Sequence, residues 1–345
     1  MAASLTTPAV LRAIWTLVLA ASLLYGLAIT GYLLARIAVG ERWNWIAFAN
    51  NFVPWWALGN AILIVIVLFS RERWLLVACQ LPGIVAFAIL YGDLLLPRDH
   101  PVEASSGTPL TAATYNIISL ASDPQRVRAE ITALDADIVG LEELGPVHAQ
   151  VFAADLAESY PYQVAYPDSQ VKGIGLLSRY PIIQEEVFQP RADSMYALRA
   201  VVDIDGVPVT VYVVHPQPPQ HTSPFTYNDD TRDAEIAILI NDHLAHESGP
   251  LIVLGDFNMT DQSDAYRQMD VRLHDAFREA GSGMGFTFPA SIRSTIRSLP
   301  PLLRIDYVWY SDQFNIRRVS VAGDSGTSDH HPVVARLVLH VPRTN

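Results

Sequence analysis

The chain has 345 residues, half of them hydrophobic, with 23 Lys+Arg against 35 Asp+Glu and a formal net charge of −12. This length exceeds one typical domain. An acidic balance with no evident basic run argues against a protein that draws its affinity from long nucleic acid phosphate. The single cysteine, Cys79, excludes an internal disulfide and leaves the redox compartment open.

Apolar residues crowd into the first 97 positions. Three stretches there, about 13–35, 52–69 and 74–96, reach the length of roughly 20 mostly apolar residues that a bilayer demands. Trp15, Trp43, Trp45, Trp55, Trp56 and Trp74 fall near their ends, as an aromatic belt would. The sequence therefore predicts a multi-pass membrane domain over 1–97 that contacts the lipid bilayer. Arg12, Arg71 and Arg73 fall on one side and Arg36, Arg42 and Arg98 on the other, so the positive-inside count is balanced. The very short Arg71/Arg73 turn, and Glu41 offsetting one outer charge, favour an N-terminus inside. Three spans then put the remainder outside the cytoplasm. Six arginines and four acids before residue 101 leave that remainder with 17 basic and 31 acidic side chains, a net of −14.

Residues 98–109 form a Pro/Ser/Gly-containing linker, and a globular domain follows over 110–341. Leu110–Ile117 reads as a strand. Asp123–Leu134 reads as a helix, with Asp123 as cap and Pro124 in the first position. Asp137–Leu141 and Gly173–Leu177 are short apolar strands. Ala197–Ile204 and Val207–Val214 flank Asp205-Gly206, a hairpin signal. Thr231–His246 has helical spacing, and Pro250–Leu254, Ile305–Tyr310, Phe314–Val321 and Val333–Val341 read as strands. Many strands with a few interleaved helices predict an α/β sandwich.

The residues with chemical potential cluster at strand ends. Asn116 follows the first strand and Glu143 the second. His215 ends the hairpin, Asp256 and Asn258 follow Pro250–Leu254, and Asp329 and His330 precede the last strand. Taken singly, each is a polar residue that solvates a turn. Asp306 is harder to dismiss, because a carboxylate inside the apolar run Ile305–Val308 must be paired.

Together these segments resemble the endonuclease/exonuclease/phosphatase superfamily, which includes deoxyribonuclease I. The match covers about 110–341, through Thr114–Ile117, Asp137–Glu143, Ser178–Ile182, Gly255–Asn258, Arg304–Val308 and Ser328–Val333. Glu142 departs from the glutamine common at that place. Membrane spans ahead of such a domain resemble a bacterial membrane-bound branch.

The resemblance implies a four-layer α/β sandwich and a hydrolase using Mg²⁺ or Mn²⁺. It implies metal ligation by Glu143 and Asp329 with Asn116, and a phosphate-contacting or proton-accepting His330 held by Asp306. Asp256 would orient or deprotonate water, Asn258 would donate to a phosphoryl oxygen, and His215 would act as a second histidine. Asp256 and His330 both remain open as the base. Arg199 and Arg232 are candidates for substrate phosphate. The leading expectation is a membrane-anchored phosphoesterase acting on a mono- or diester, with a lipid-linked ester in view. An extracytoplasmic nuclease and a non-catalytic membrane binding module are the alternatives.

Overall fold

Long apolar runs without breakers form helices, and short β-branched runs bounded by turns form strands; this chain does first one and then the other. The computed structural model describes residues 7–96, 107–220, 226–290 and 300–340. The chain divides into two units, Met1–Leu96 and Pro97–Asn345. Most of the predicted linker, and Val341 of the last predicted strand, lie outside the described residues.

The first unit is helical: α1 (Thr7–Ala38), α2 (Asn44–Asn50), α3 (Val53–Val67) and α4 (Arg73–Leu95). Two helices, over Ala9–Ala38 and Arg73–Leu95, are long and apolar enough to cross a membrane, and a third crossing requires α2 and α3 to act as one span. The predicted span 52–69 thus differs from what forms. α3 has 15 residues, about 23 Å at 1.5 Å per residue, and meets α2 at a 70° bend. Pro54 in the first turn of α3 has no N–H with which to continue the ladder of α2. Contact between α1 and α4 is close because Gly26 carries no side chain: a Cβ there would sit 2.5 Å from the Cys79 carbonyl oxygen. Gln80 Nε2 donates to the Ser22 carbonyl at 2.8 Å across the same contact, the kind of polar link that joins helices in an apolar medium.

The second unit begins with β1 (Thr108–Asn116), α5 (Pro124–Leu134), β2 (Ile138–Glu142), α6 (Pro146–Asp155), β3 (Tyr162–Tyr166) and β4 (Ile174–Ser178). It continues with β5 (Ile182–Phe188), β6 (Ala197–Ile204), β7 (Val207–Val214), α7 (Asp230–Ile238), β8 (Leu251–Asp256) and α8 (Asp264–Asp270). Then come β9 (His274–Asp275), α9 (Ala276–Ala280), β10 (Asp306–Tyr310), β11 (Phe314–Val321) and β12 (Val333–Leu339). One sheet has the order β11-β12-β1-β2-β4-β3, the other β5-β6-β7-β8-β10-β9.

Each sheet is antiparallel except for one internal parallel pair, β1 with β2 and β7 with β8. Parallel neighbours need a crossover, supplied by α5 in one sheet and α7 in the other. Asp123 caps α5 through Gln125 N and Arg126 N. The predicted helix 231–246 is α-helical only to Ile238; Leu239–His243 is a π turn and Leu244–His246 a 3₁₀ turn.

Val127 and Ile131 of α5 and Phe152 of α6 pack on Tyr115, Val139 and Leu141 of the first sheet. Ile236 of α7 and Ala265 and Met269 of α8 pack on Tyr212, Val253 and Trp309 of the second. The inner faces meet closely at Gly140, where a Cβ would lie 3.0 Å from Leu254 Cβ. The result is the α/β sandwich of the deoxyribonuclease I-like fold, helices outside and two sheets within. In each sheet the parallel strands end on the same side, so their C-terminal ends share one rim.

Candidate active site

That rim gathers the polar strand-end residues. Asn116 ends β1, Glu143 follows β2, His215 follows β7, and Asp256 ends β8. The antiparallel neighbours start there: Asp306 opens β10 opposite Asp256 in register, and Asp329 and His330 lie just before β12.

Asn116 bridges the two sheets. Its Nδ2 donates to Glu143 Oε1 at 3.2 Å and to Asp256 Oδ2 at 3.1 Å. Its Oδ1 accepts the backbone N–H of Ile118 at 3.1 Å, and since an N–H only donates, the amide orientation is fixed. Asn116 therefore offers nitrogen to the carboxylates. In this geometry the Asn116 amide aligns the acids beside which the expected metal would sit.

His330 Nδ1 lies 3.0 Å from both oxygens of Asp306. Its Nε2 faces Asp256 Oδ2 at 3.7 Å and Asp329 Oδ1 at 4.0 Å, and its ring packs on Phe288 at 4.8 Å between centroids. Burial alone would lower the His330 pKa, but Asp306 and Asp256 stabilise the imidazolium and raise it to about 10. His215 Nε2 lies 3.6 Å from Asp256 Oδ2 and 3.9 Å from Glu143 Oε1. Burial, helped by repulsion from His330, lowers its pKa to about 4. The same rim thus pushes the two histidines in opposite directions. Burial pushes the Asp256 carboxyl up to about 7 against the pull of His330. Burial also raises Glu143 and Asp329.

Backbone strain concentrates on the same rim. Ile118, Glu143, Asn258 and Thr327 have φ of 38°, 55°, 51° and 85°, a region unfavourable for side chains other than Asn, Asp and Gly. Asn258 is held on three sides. Its N–H donates to Asp256 Oδ1 at 2.9 Å, its Nδ2 donates to the Pro216 carbonyl at 3.0 Å, and its own carbonyl accepts Arg232 Nη1 at 3.0 Å.

The two arginines proposed from sequence have other work. Arg232 is buried in α7, bonded to Asp229 and Asp233 at 2.7 and 2.6 Å, and it reaches the loop through the Asn258 backbone instead of presenting its guanidinium to a ligand. Arg199 is drawn to Glu247, with Nε 2.6 Å from Oε1, and the Tyr212 and Thr210 hydroxyls bond the same carboxylate. A guanidinium so engaged has no free fork for phosphate.

Two further residues had no predicted role. Ser328 is fully buried and its Oγ donates to the Asn116 carbonyl at 2.7 Å while accepting the His330 N–H at 3.1 Å. It ties the His330 loop to β1. Glu142 is fully buried between the sheets, accepting Thr114 Oγ1 at 2.8 Å. Burial holds its carboxyl well above the usual range, at the place where glutamine is common. The signal for both lay in sequence, Ser328 within the Ser-Asp-His run and Glu142 within an otherwise apolar strand.

Residues 113–330 match the Endonuclease/Exonuclease/phosphatase family. Solved structures share the fold. An endonuclease/exonuclease/phosphatase from Beutenbergia cavernae is 22% identical, with TM-score 0.53, covering 68% of this chain and 72% of that one. D. rerio TDP2 complexed with single-strand DNA product is 17% identical, with TM-score 0.55, covering 66% and 98%. A Bacteroides thetaiotaomicron mannosyl-6-phosphatase is 19% identical, with TM-score 0.50, covering 67% and 100%. No curated protein matches by sequence. At such identities the likeness speaks for the fold, while the match over 113–330 spans most of the chain: it belongs to the endonuclease/exonuclease/phosphatase family.

Proposed function

We propose that this chain is a membrane-anchored, divalent-metal-dependent phosphoesterase hydrolysing a phosphate mono- or diester, with a lipid-linked ester as the favoured substrate. One observation carries the reading. Carboxylates, amides and two histidines from both sheets meet on one rim, with a buried imidazole already paired to Asp306 at 3.0 Å. The net charge of −14 beyond residue 100 weighs against a polyanion track.

The donor set suits a hard divalent cation. Glu143 and Asp329 supply carboxylate oxygens, and Asp329 Oδ1 is buried without a hydrogen-bond partner. Mg²⁺ or Mn²⁺ held there would neutralise charge on the phosphate and its leaving oxygen. Asp256, Asp306 and His330 also approach within 4.8 Å of one another, but Asp306 grips the His330 ring with both oxygens, which makes that trio an oriented imidazole. His330 Nε2–H would then bind a phosphoryl oxygen. Asn258 keeps one amide hydrogen on Pro216 and has a second for the oxygen on which charge builds. Asp256 orients the attacking water beside His215.

The test uses the full chain, purified in detergent free of metal. It is assayed with Mg²⁺ on bis-p-nitrophenyl phosphate, p-nitrophenyl phosphate, supercoiled plasmid and a polyprenyl diphosphate, beside Glu143→Ala and His330→Ala. Turnover lost in both variants and on chelation is expected. Preference for plasmid would make it a nuclease, and no turnover with metal bound would favour the binding-module reading.

A further inference from the structure

Most arginines of the second unit are matched to acids: Arg179 with Asp135 and Asp137, Arg199 with Glu247, Arg232 with Asp229 and Asp233, Arg304 with Asp275. Arg126, Arg191, Arg272, Arg317, Arg318 and Arg336 make no ion pair among the described residues, and two of these six face each other. Arg318 and Arg336 stand directly opposite each other on β11 and β12, both exposed. Like charges in such cross-strand positions repel. Neither makes a hydrogen bond or ion pair among the described residues. The acid that Arg336 influences, Asp135, is held first by Arg179 at 2.6 Å. This happens in a stretch with 31 acids and 17 bases, where partners are plentiful.

The pair borders a groove of about 340 Å³ between α5 and the β11–β12 face, far more than the roughly 30 Å³ of one water. Ser320 adds a hydroxyl, and Ala133 and Val334 make an apolar wall. Glu130 also lines the groove but forms no ion pair with either arginine among the described residues. The segment joining β11 to β12 carries Ser328, Asp329 and His330, so the groove and the catalytic loop share one hairpin.

We propose that the Arg318–Arg336 groove binds the headgroups of anionic phospholipids in the bilayer that the apolar helices enter, holding the catalytic hairpin at the lipid surface. Charge complementarity selects this partner. Two exposed guanidinium forks side by side suit separate phosphates, and an arginine brought to an anionic lipid surface gains from it. A nucleic acid would demand a longer basic track than two residues give. The inference rests on the membrane association in the proposed function and not on its chemistry.

The test places the full chain, in a Cys79→Ala background, in nanodiscs of phosphatidylcholine alone or with phosphatidylglycerol. A dye on Ala129→Cys, exposed on α5, reports quenching by headgroup-spin-labelled lipid; a dye on Ser248→Cys, exposed elsewhere, is the reference. Quenching at position 129 should appear only with phosphatidylglycerol. It should weaken roughly fivefold for each of Arg318→Glu and Arg336→Glu, weaken similarly with the milder Arg→Gln changes, and vanish at about 0.5 M salt. Equal quenching in both lipids, or no response to charge reversal, overturns the proposal. Loss of quenching on adding millimolar inorganic phosphate assigns the groove to a free anion and overturns the lipid source. Failure of the chain to enter nanodiscs at all would instead sink the membrane reading.

Discussion

The two sheets bring the same device to the rim, a parallel strand pair that ends there, yet they furnish it differently. The first sheet delivers Asn116, Glu143 and Asp329, with Glu143 aligned by the Asn116 amide and Asp329 Oδ1 buried without a hydrogen-bond partner. The second delivers His215, Asp256, Asn258 and Asp306, groups fixed by one another and by the backbone. His330 belongs to the first by sequence and to the second by its bond to Asp306. Under the proposed function, the first half would hold a cation and the second a phosphoryl group. Joining the halves across a sheet interface makes the activity depend on how closely the sheets pack.

The largest effects should separate the halves. His330→Ala should lower kcat by about 10²- to 10⁴-fold while leaving the Mg²⁺ concentration for half-maximal rate nearly unchanged. Glu143→Gln should raise that concentration by tenfold or more, as the loss of a hard oxygen ligand requires. Rates measured across a metal titration decide it; a His330→Ala variant whose metal requirement moves as far as that of Glu143→Gln would dissolve the division.

Next in size is Arg232, which couples the second sheet's loop to α7. Arg232→Met strands the buried Asp229, takes the ion pair from the partly exposed Asp233 and frees the Asn258 carbonyl. Breaking a buried pair in this way costs about 3–5 kcal/mol, read by denaturant unfolding, and loosens Asn258 from its left-handed conformation. An Arg232→Lys variant should recover part of the stability and less of the rate, because an ammonium cannot span three acceptors in a plane. A smaller cost, about 1–3 kcal/mol, is expected for Gly140→Ala, which forces the sheets apart at Leu254. Loss of kcat beyond the loss of stability in that variant would tie the interface spacing directly to the rim.

What the sequence made legible follows the same division. Strands buried on both faces, such as β2 and β10, announce themselves as apolar runs, and the acids at their ends stand out by contrast. The edge strands β3 and β5 were missed because their faces are largely exposed; with Glu185 and Glu186 in mid-strand, no alternation survives to read. The bend between α2 and α3 was hidden because hydropathy does not register direction. Asn116, Glu143, Asp256 and His330 stand out in the sequence by strand-end position and Asp306 by its apolar neighbours, and the rim brings them together, but the amide orientation of Asn116 depends on the backbone N–H of Ile118. For Arg199 and Arg232 the structure shows acids that compete with any phosphate: Glu247, distant along the chain and brought up by packing, and Asp229 and Asp233, three residues before and one after Arg232.

Arg199 also supplies the mildest test. Burial would raise the Glu247 carboxyl, but Arg199 and the Tyr212 and Thr210 hydroxyls outweigh it and hold the group below the ordinary carboxylate value. A folded pKa below the unfolded one means that the unfolded chain binds more protons in acid, so stability rises with pH through that window. The contribution is present above the ordinary glutamate pKa and is lost as pH falls through the depressed folded value. Glu247→Gln should therefore narrow the stability gap between neutral and acidic pH, and Arg199→Gln should narrow it similarly, while neither shifts the pH profile of the rate. Thermal unfolding across that range reads the first effect and initial rates the second. A shifted rate profile in Arg199→Gln would return that residue to the substrate, and with it the one arm of the second sheet that the geometry assigns to structure alone.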